Sequence, residues 1–289
     1  MRHGLGSTRE ESFGERTWLS VVLAAWIPFV GGCELRDQLL FSNPTDASAD
    51  GDASNAAPTR FPCPVGEPGP QVALYRFDEP VDGRLIDSVD GHHGTTVGSI
   101  ERDQNRAVCG SSWRFFGGYG QVMSELDFQL ASATIDFYVW VPAGQPTLAR
   151  VAILSKDAAG REDGDMTLWL TGERVLAVQG QTSDGRDSFV CTPPIPAEQW
   201  VHVAFGFADE LKMWRNGELL DNAGERTVFG APCEGGIDVD WQFNTQPLVI
   251  GASNANAPRG SAEPTEPLNA YLDHLRISAT GIDFSLYAE

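Results

Sequence analysis

Cysteine is the residue type in this chain with the clearest chemistry. Cys33 stands alone near the N-terminus, and Cys63, Cys109, Cys191 and Cys233 are spread over the rest of the sequence. None of them forms a Cys-x-x-Cys pair, so their spacing does not match a zinc cluster. Four cysteines follow Cys33, and an even number in an oxidising compartment predicts two disulfides. Four cysteines allow three pairings, of which the order along the chain favours Cys63–Cys109 and Cys191–Cys233. Four buried free thiols are the alternative.

Cys33 lies in a different context from the other cysteines. The uncharged run WLSVVLAAWIPFV covers residues 18–30 and is followed by Gly31 and Gly32. Arginines before a short apolar run, with small residues after it, are typical of a secretory signal. The run is shorter than the ~20 apolar residues that span a bilayer.

Residues 30–33, Val-Gly-Gly-Cys, resemble a bacterial lipobox. The resemblance implies that a signal peptide over residues 1–32 is removed and that Cys33 is lipidated. We therefore expect an exported protein that is lipid-anchored at the bacterial cell envelope or surface, with no other contact to the membrane. An ordinary cleaved signal and an uncleaved anchor helix are the alternatives.

The acidic residues do not form a recognisable catalytic pair. Retaining glycoside hydrolysis needs two carboxylates about 5 Å apart across the scissile bond. Asp238 and Asp240 alternate, but they lie in a glycine-rich stretch rather than in a core strand. The sequence also lacks the motifs of a nucleophile elbow, a phosphate loop and a zinc-binding His-Glu-x-x-His helix. We therefore expect no catalytic residues, with a glycoside hydrolase or lyase as the alternative.

The charge of the chain excludes one class of partner. The formal net charge is −20, and residues 1–32 hold three arginines and three glutamates, so removing them leaves this balance unchanged. Nucleic-acid binding needs clustered Lys and Arg side chains, which an acidic chain of this kind does not offer. The acidity suits a dispersed surface protein or one that collects divalent cations.

Composition divides the exported chain into a tether and a domain. Residues 33–68 are dominated by Ser, Asp, Asn, Ala and Pro, which predicts a flexible tether. Residues 69–289 show short β-branched and aromatic runs separated by Gly, Asp and Asn, which predicts one all-β domain. The predicted strands cover residues 71–77, 112–116, 121–123, 134–141, 151–155, 166–170, 174–179, 187–191, 200–207, 211–214, 248–250 and 271–277.

Local patterns add detail to these strands. Asn216-Gly217 predicts a two-residue hairpin, because both residues accept the type I′ turn. The alternation around Trp200 predicts that Val201, Val203 and Phe205 face the core, and that His202 is a hydrogen-bonded sheet residue. The aromatic residues predicted to pack in the core are Tyr75, Phe77, Trp113, Phe115, Phe137 and Trp140.

Several short motifs follow one another in a fixed order. They are YRFDE at 75–79, DSVDG at 87–91, WRFFG at 113–117, TIDF at 134–137, WVHVA at 200–204, WRNG at 214–217, LVIG at 248–251 and YLDHLRI at 271–277. In this order, over residues 69–280, they resemble the laminin-G-like, concanavalin A-like jelly-roll domains of secreted bacterial proteins. The resemblance implies a two-sheet antiparallel sandwich. It implies no particular activity, because this fold carries many functions.

The same resemblance implies a structural calcium ion. Domains of this type pair their first and last strands near one edge and often hold calcium there. The matching positions are Asp78, Asp273 and, through its carbonyl, Gly117, and calcium prefers several oxygen ligands. This chain has Phe116 and His274 where the family commonly has acidic residues. The alternative is that both aspartates accept backbone N–H bonds.

We expect a non-catalytic, surface-tethered recognition module. Its partner would be a polysaccharide, a glycoprotein or another surface protein, and a purely structural role is a further alternative. Loops usually carry specificity on a rigid β scaffold. The candidate loops cover residues 157–165, 222–241 and 252–267, and their candidate contact residues are Trp241, Asn254, Asn256 and Arg259.

Overall fold

The computed structural model describes residues 70–89, 91–160, 164–181, 186–207, 210–220, 226–234, 241, 244–280 and 284. The predicted signal peptide, lipidation site Cys33, tether and Cys63 lie outside these residues. The boundaries 1–32, 33–68 and 69–289 therefore stay predictions. No helix within the described ranges has the length and apolarity needed to cross a membrane.

The described chain is built almost entirely of β-strands, with one 3-10 turn at Leu126–Phe128. The strands are Gln71–Tyr75 (β1), Arg84–Leu85 (β2), Gly94–Val97 (β3), Ile100–Asp103 (β4), Ser112–Phe116 (β5), Tyr119–Val122 (β6), Ala133–Trp140 (β7), Arg150–Lys156 (β8), Met166–Thr171 (β9), Leu176–Gln181 (β10), Asp187–Cys191 (β11), Trp200–Phe207 (β12), Lys212–Arg215 (β13), Glu218–Leu219 (β14), Thr227–Val228 (β15), Ala231–Pro232 (β16), Leu248–Ile250 (β17) and Asn269–Ser278 (β18).

These strands form two large antiparallel sheets and one small hairpin. The first sheet has the order β14-β13-β12-β7-β18-β5-β4, and β1 also pairs with β18. The second sheet has the order β11-β10-β9-β8-β17-β6-β3-β2, and β15 pairs with β16. The predicted jelly-roll sandwich of two antiparallel sheets is confirmed.

Strand alternation explains which side chains fill the space between the sheets. On β7 and β12 every second residue belongs to the buried core, and the residues between them face away from it. The predicted core aromatics Tyr75, Phe77, Trp113, Phe115 and Phe137 are all at most 3% exposed and lie in this cluster. Trp140 does not belong to it, because its position in β7 directs it to the outer face.

The sequence predicts the long apolar strands better than the short polar ones. Strands β5, β11, β12 and β17 have the predicted bounds. Strands β2, β3 and β4 were not predicted, because they are short and contain few apolar residues. The predicted turn is confirmed: Asn216 and Gly217 have φ values of 49° and 81° and connect β13 to β14.

The last strand connects the first sheet. Residues 269–272 of β18 pair with β5, and the end of β18 pairs with β1, so these two strands follow one another along the same side. Strand β7 lies on its other side, with a register shift between Asp273 and Arg276. His274, at this bulge, has a φ of 53°. The predicted pairing of the first and last strands is confirmed.

One predicted disulfide is confirmed. Cys191 and Cys233 are bonded, which ties β11 to the segment that carries β15 and β16. Cys109 is also disulfide-bonded. Its predicted partner, Cys63, lies outside the described residues.

A substitution at Gly251 tests the packing between the sheets. It has a φ of 87°, and a Cβ there would lie 2.4 Å from Phe115 Cδ1. Gly260 has a φ of 76° with nothing within 4 Å of such a Cβ. We expect Gly260→Ala to lower the free energy of unfolding by about 1–2 kcal/mol through backbone strain. Gly251→Ala should lower it by a further ~1–3 kcal/mol, because the ring of Phe115 must shift. Urea unfolding measures both, and equal losses would contradict the packing argument.

Candidate functional site

A row of large side chains crosses the outer face of the first sheet. Trp200 lies directly opposite Trp140, Trp140 opposite Tyr271, Tyr271 opposite Arg114, and Arg114 opposite Glu101. Residues opposite one another in adjacent strands share a face of the sheet. The two tryptophans are half-buried and Tyr271 is 5% exposed. From Trp200 to Arg114 the row crosses three strand spacings, or roughly 14 Å.

Arg106 lies over the centre of this row. Its guanidinium carbon is 4.1 Å from the ring centroid of Trp140 and 4.7 Å from that of Tyr271. Its Nη1 donates a 2.6 Å hydrogen bond to the Tyr271 hydroxyl. The rings of Trp140 and Tyr271 meet edge to face, 5.1 Å apart. Cation–π and edge-to-face contacts of this kind restrict the rotamers of all three side chains.

Arg114 and Phe116 extend the row along β5. The guanidinium carbon of Arg114 lies 5.2 Å from the Phe116 centroid and 5.8 Å from that of Tyr271. Phe116 is half-buried and lies opposite Asn269. We call the six side chains of this open face the arginine–aromatic platform: Trp200, Trp140, Tyr271, Arg114, Phe116 and Arg106.

The neighbouring part of the same face is closed. Asp136 accepts hydrogen bonds from Arg276 Nε at 2.8 Å and Nη2 at 3.0 Å. His202 Nε2 lies 3.2 Å from Asp136 Oδ1, so His202 is a hydrogen-bonded sheet residue, as predicted. Phe284 packs against the rings of His202 and Trp214. Asp136, Arg276 and His202 are at most 4% exposed, whereas every platform side chain except Tyr271 is half-buried.

The segment that carries Arg106 is held by two aspartates. Asp273 Oδ2 accepts hydrogen bonds from the backbone N–H groups of Val108, at 2.8 Å, and Cys109, at 3.1 Å. Asp78 Oδ1 accepts a 2.8 Å hydrogen bond from Ser111 N. Residues 104–111 connect β4 to β5, so these bonds fix the loop that places Arg106 on the platform. We call residues 104–111 the clamped loop.

Further bonds fix the clamped loop at Arg106 and at Cys109. Ser112 Oγ donates to the Arg106 carbonyl oxygen. Cys109 is held by its disulfide as well as by Asp273. The backbone of Arg106 is therefore fixed close to the strand that carries Arg114.

The three predicted calcium ligands do not form one site. Asp78 and Asp273 contact the clamped loop at one end of β5, whereas Gly117 follows Phe116 at the other end. Asp273 is fully buried, and its second oxygen lies 3.2 Å from His274 Nδ1. Burial raises the pKa of Asp273, although hydrogen bonds from His274 and Cys109 oppose this effect.

The hydrogen bonds of these residues also do not fit a calcium site. The oxygens of Asp273 accept hydrogen bonds, as the alternative interpretation of the sequence expects, and Ca²⁺ needs six to eight oxygen ligands. Among the described residues, no group of three or more His, Cys, Asp or Glu side chains could hold a metal ion. A calcium ion shared by Asp78, Gly117 and Asp273 therefore does not fit this arrangement.

Several residues of the loops predicted to carry specificity are buried within the fold. Asn254 is fully buried and donates from Nδ2 to the Asp157 carbonyl at 3.0 Å. Arg259 Nη2 lies 2.7 Å from the buried carboxylate of Asp165. Trp241 is also fully buried, so it offers no exposed ring. These contacts join loops to each other, and the prediction of Trp241 and Asn254 as exposed contact residues is wrong.

Asp157, which directly follows β8, is a buried acid whose pKa differs from its ordinary value. Burial, with a smaller effect of the neighbouring Asp165, raises its pKa to about 6. Thr167 Oγ1 donates to Asp157 Oδ2 at 2.9 Å and Ala158 N to Oδ1 at 2.7 Å. The carboxyl is 2% exposed, so its contribution is to the stability of the network.

Comparison with known families agrees with the fold. A family model described as Laminin_G_3, concanavalin A-like lectin/glucanases superfamily, matches residues 116–280, which is more than half of the chain. This chain belongs to the concanavalin A-like lectin/glucanase superfamily. Of the platform residues of this superfamily member, Arg106 and Arg114 precede the matched segment. No curated protein matches the sequence.

Solved structures show the same fold at low sequence identity. Domain 4 of AbnA, an extracellular GH43 arabinanase from Geobacillus stearothermophilus, was solved with arabinotriose; it is 18% identical with a TM-score of 0.54, over 77% of this chain and 100% of that one. The receptor-binding domain of botulinum neurotoxin C/D mosaic serotype is 11% identical with a TM-score of 0.51. The binding domain of botulinum neurotoxin DC, solved with rat synaptotagmin II, is 12% identical with a TM-score of 0.50. Both toxin matches cover 75% of this chain and 50% of the toxin domain, so this superfamily member spans half their length.

Sequence reasoning missed the platform of this concanavalin A-like domain. Trp140 was predicted to be a core residue, and Arg106 was not singled out. The alternation Ile135, Phe137, Val139 contained the signal, because it places Trp140 on the other face. No local pattern places Arg106 there, since the clamped loop reaches the platform only through long-range contacts.

Chelation tests the calcium prediction. We expect excess EDTA to leave the melting temperature unchanged, because Asp273 already uses its oxygens for hydrogen bonds within the protein. Differential scanning calorimetry with and without EDTA measures this. A fall of several degrees that added calcium reverses would show that the domain holds the ion.

The raised pKa of Asp157 predicts a pH-dependent stability. The folded state binds the Asp157 proton more tightly than the unfolded chain, whose pKa is near 3.8. The stabilisation is therefore complete below that value and is lost as the pH rises through about 6. Between pH 7 and 5, wild type should gain about 1 kcal/mol of unfolding free energy relative to Asp157→Asn. Urea unfolding at both pH values measures the difference. Glu173→Gln, at an exposed site, is the control, and a difference that does not change with pH would contradict the assignment.

Proposed function

We propose that this domain is a non-catalytic recognition module that binds carbohydrate on the arginine–aromatic platform. The observation that carries the proposal is the row across three neighbouring strands in which the half-buried Trp200 and Trp140 lie beside Tyr271, with Arg106 over the last two. Aromatic rings with polar edges suit the apolar faces and hydroxyl groups of sugar rings. Their spacing across strands suits an oligosaccharide laid across the sheet.

The geometry of the platform supports binding of a ligand without large rearrangement. Arg106 is already in contact with Trp140 and Tyr271, and its loop is fixed by Asp273 and Asp78. Side chains held in place before binding lose less entropy when a ligand arrives. The arabinanase domain solved with arabinotriose supports saccharide binding by this fold, since the whole of that domain is similar to 77% of this chain.

The acids beside the platform favour binding over hydrolysis. Glu101 Oε2 lies 3.8 Å from Arg114 Nη1, and Asp103 Oδ2 lies 3.9 Å from Arg106 Nη1. A glycoside hydrolase needs two carboxyl groups that face each other across the scissile bond. Here each of the two acids faces a platform arginine instead.

The cellular setting follows from the N-terminus of the sequence. We propose that the domain is displayed at the bacterial cell envelope through a lipid on Cys33 and a tether over residues 33–68. The partner is then a polysaccharide or glycoprotein outside the cell. A protein partner on the same face is the second candidate, supported by the toxin binding domain solved with synaptotagmin II.

Removing the tryptophans tests the site. We expect Trp200→Ala and Trp140→Ala each to weaken binding of an oligosaccharide hit about tenfold or more, because each removes a ring from the row. Phe229→Ala is the matched control, since Phe229 is an aromatic side chain, 44% exposed, in the β15–β16 hairpin, where it packs against Trp169 of the second sheet. A glycan array identifies the hit, and isothermal titration calorimetry measures the affinity. Unchanged affinity in both tryptophan variants would contradict the site.

A further inference from the structure

The two platform arginines have weak ion pairs within the protein. Arg106 lies 3.9 Å from Asp103, and Arg114 lies 3.8 Å from Glu101. Both arginine side chains are more than one third exposed, and exposed pairs at such distances contribute little to stability. Neither pair is a bidentate contact. The guanidinium groups therefore keep donors that a ligand can use.

Arg150 on the second sheet is a useful comparison, because this arginine has a close carboxylate partner. Its guanidinium carbon lies 4.3 Å from the Trp169 centroid, and its side chain is as exposed as that of Arg114. Its Nη2, however, donates a 3.0 Å hydrogen bond to Glu266 Oε1. Arg106 and Arg114 also stack on rings, but among the described residues their carboxylate partners lie at 3.9 and 3.8 Å.

Arg114 also has a donor that the fold does not use. Its Nε is buried and makes no hydrogen bond to a described residue. A ligand can reach the outer nitrogens of this guanidinium, since the side chain is 38% exposed. Planar guanidinium groups match carboxylate and sulfate oxygens in a two-pronged contact.

We propose that the platform selects acidic oligosaccharides, with carboxylate or sulfate groups bound by Arg106 and Arg114. This inference rests on the proposed function and adds the class of sugar. Charge complementarity supports it: the chain has a net charge of −20, yet two of its 20 Lys and Arg residues contact the same ring, that of Tyr271, in the platform. Guanidinium groups donate to the hydroxyl groups of any sugar, but an acidic group gains a charge-assisted contact in addition. An anionic sugar also needs local positive charge, because the rest of the protein repels it.

The clamped loop gives the arginine pair its geometry. Asp273 and Asp78 hold the loop backbone, and Ser112 bonds the Arg106 carbonyl, while Arg114 extends from the adjacent strand. The two guanidinium groups share contact with the ring of Tyr271. Arg106 covers the ring of Trp140, which lies next to Trp200, so a sugar stacked on Trp200 would direct its acidic group toward the arginines.

A mixed glycan panel tests the proposal. It contains uronate, sialylated and sulfated oligosaccharides together with neutral ones, and includes an oligogalacturonate with its methyl ester as a matched pair of equal length. The full domain is screened first, and the affinity of each hit is measured by titration calorimetry at two salt concentrations. We expect the hits to be acidic and their affinity to fall as salt rises.

Variants at the two arginines test whether acidic groups bind there. Arg114→Gln and Arg106→Gln should each weaken an acidic hit about tenfold or more, because each removes a charged hydrogen-bond donor. Arg106→Lys keeps the charge and should retain part of the affinity. Arg150→Gln is the matched control on the second sheet and should leave binding unchanged. Thermal melts of all variants confirm that they are folded.

The outcomes distinguish this inference from the proposed function. Acidic hits that need both the arginines and Trp200 support both. Neutral hits that need Trp200 but tolerate Arg106→Gln and Arg114→Gln overturn the acidic class and leave carbohydrate binding in place. An empty panel, or hits that tolerate Trp200→Ala, overturn the proposed function itself and favour a protein partner.

Discussion

The pairing of β18 with three other strands is the constraint on which the first sheet depends. Strand β7 follows it along one side, while β5 and β1 share the other. Where β5 gives way to β1, backbone groups of the clamped loop would lack strand partners, and Asp273 accepts two of their N–H bonds instead. Since buried N–H groups need acceptors, this carboxylate lets one strand serve two neighbours. Tyr271, two residues earlier, thereby becomes the middle of the platform.

Local alternation explains how much of this arrangement the sequence predicts. Strands such as β12, where Val201, Val203 and Phe205 alternate with polar or small residues, show both their type and their buried face. The sandwich follows from such patterns, the hairpin from Asn216-Gly217, and the Cys191–Cys233 bridge from the order of the cysteines along the chain. The prediction of Trp140 as a core residue is wrong because its position in the alternation of β7 places it on the outer face.

The candidate site was harder to predict because it depends on registers between distant strands. The row from Trp200 to Glu101 joins residues about 100 positions apart, and a shift of one residue in any strand would turn a ring into the core. Sequence motifs did identify Asp78 and Asp273 as special positions. Their residue type fits both calcium and backbone hydrogen bonds, and only the position of the clamped loop distinguishes these roles. Gly117 shows the same limit. The sequence places it directly after β5, but it does not say that Asp78 and Asp273 lie at the opposite end of this strand.

Buried acids in this protein are stabilised in three different ways, and the difference explains where ligands can bind. Asp136 has a bidentate partner in Arg276, Asp273 has backbone N–H groups, and Asp157 has hydroxyl and N–H donors with a raised pKa. Each charge is satisfied inside the fold, so none of the three attracts a ligand. The platform has a different balance, since Arg106 and Arg114 lie 3.9 and 3.8 Å from Asp103 and Glu101 and make no bidentate contact with them. In a chain with so many acids, arginines keep donors for a ligand where other contacts hold their guanidinium groups. Stacking on Tyr271 and Trp140 does this, because it holds the guanidinium groups against aromatic rings.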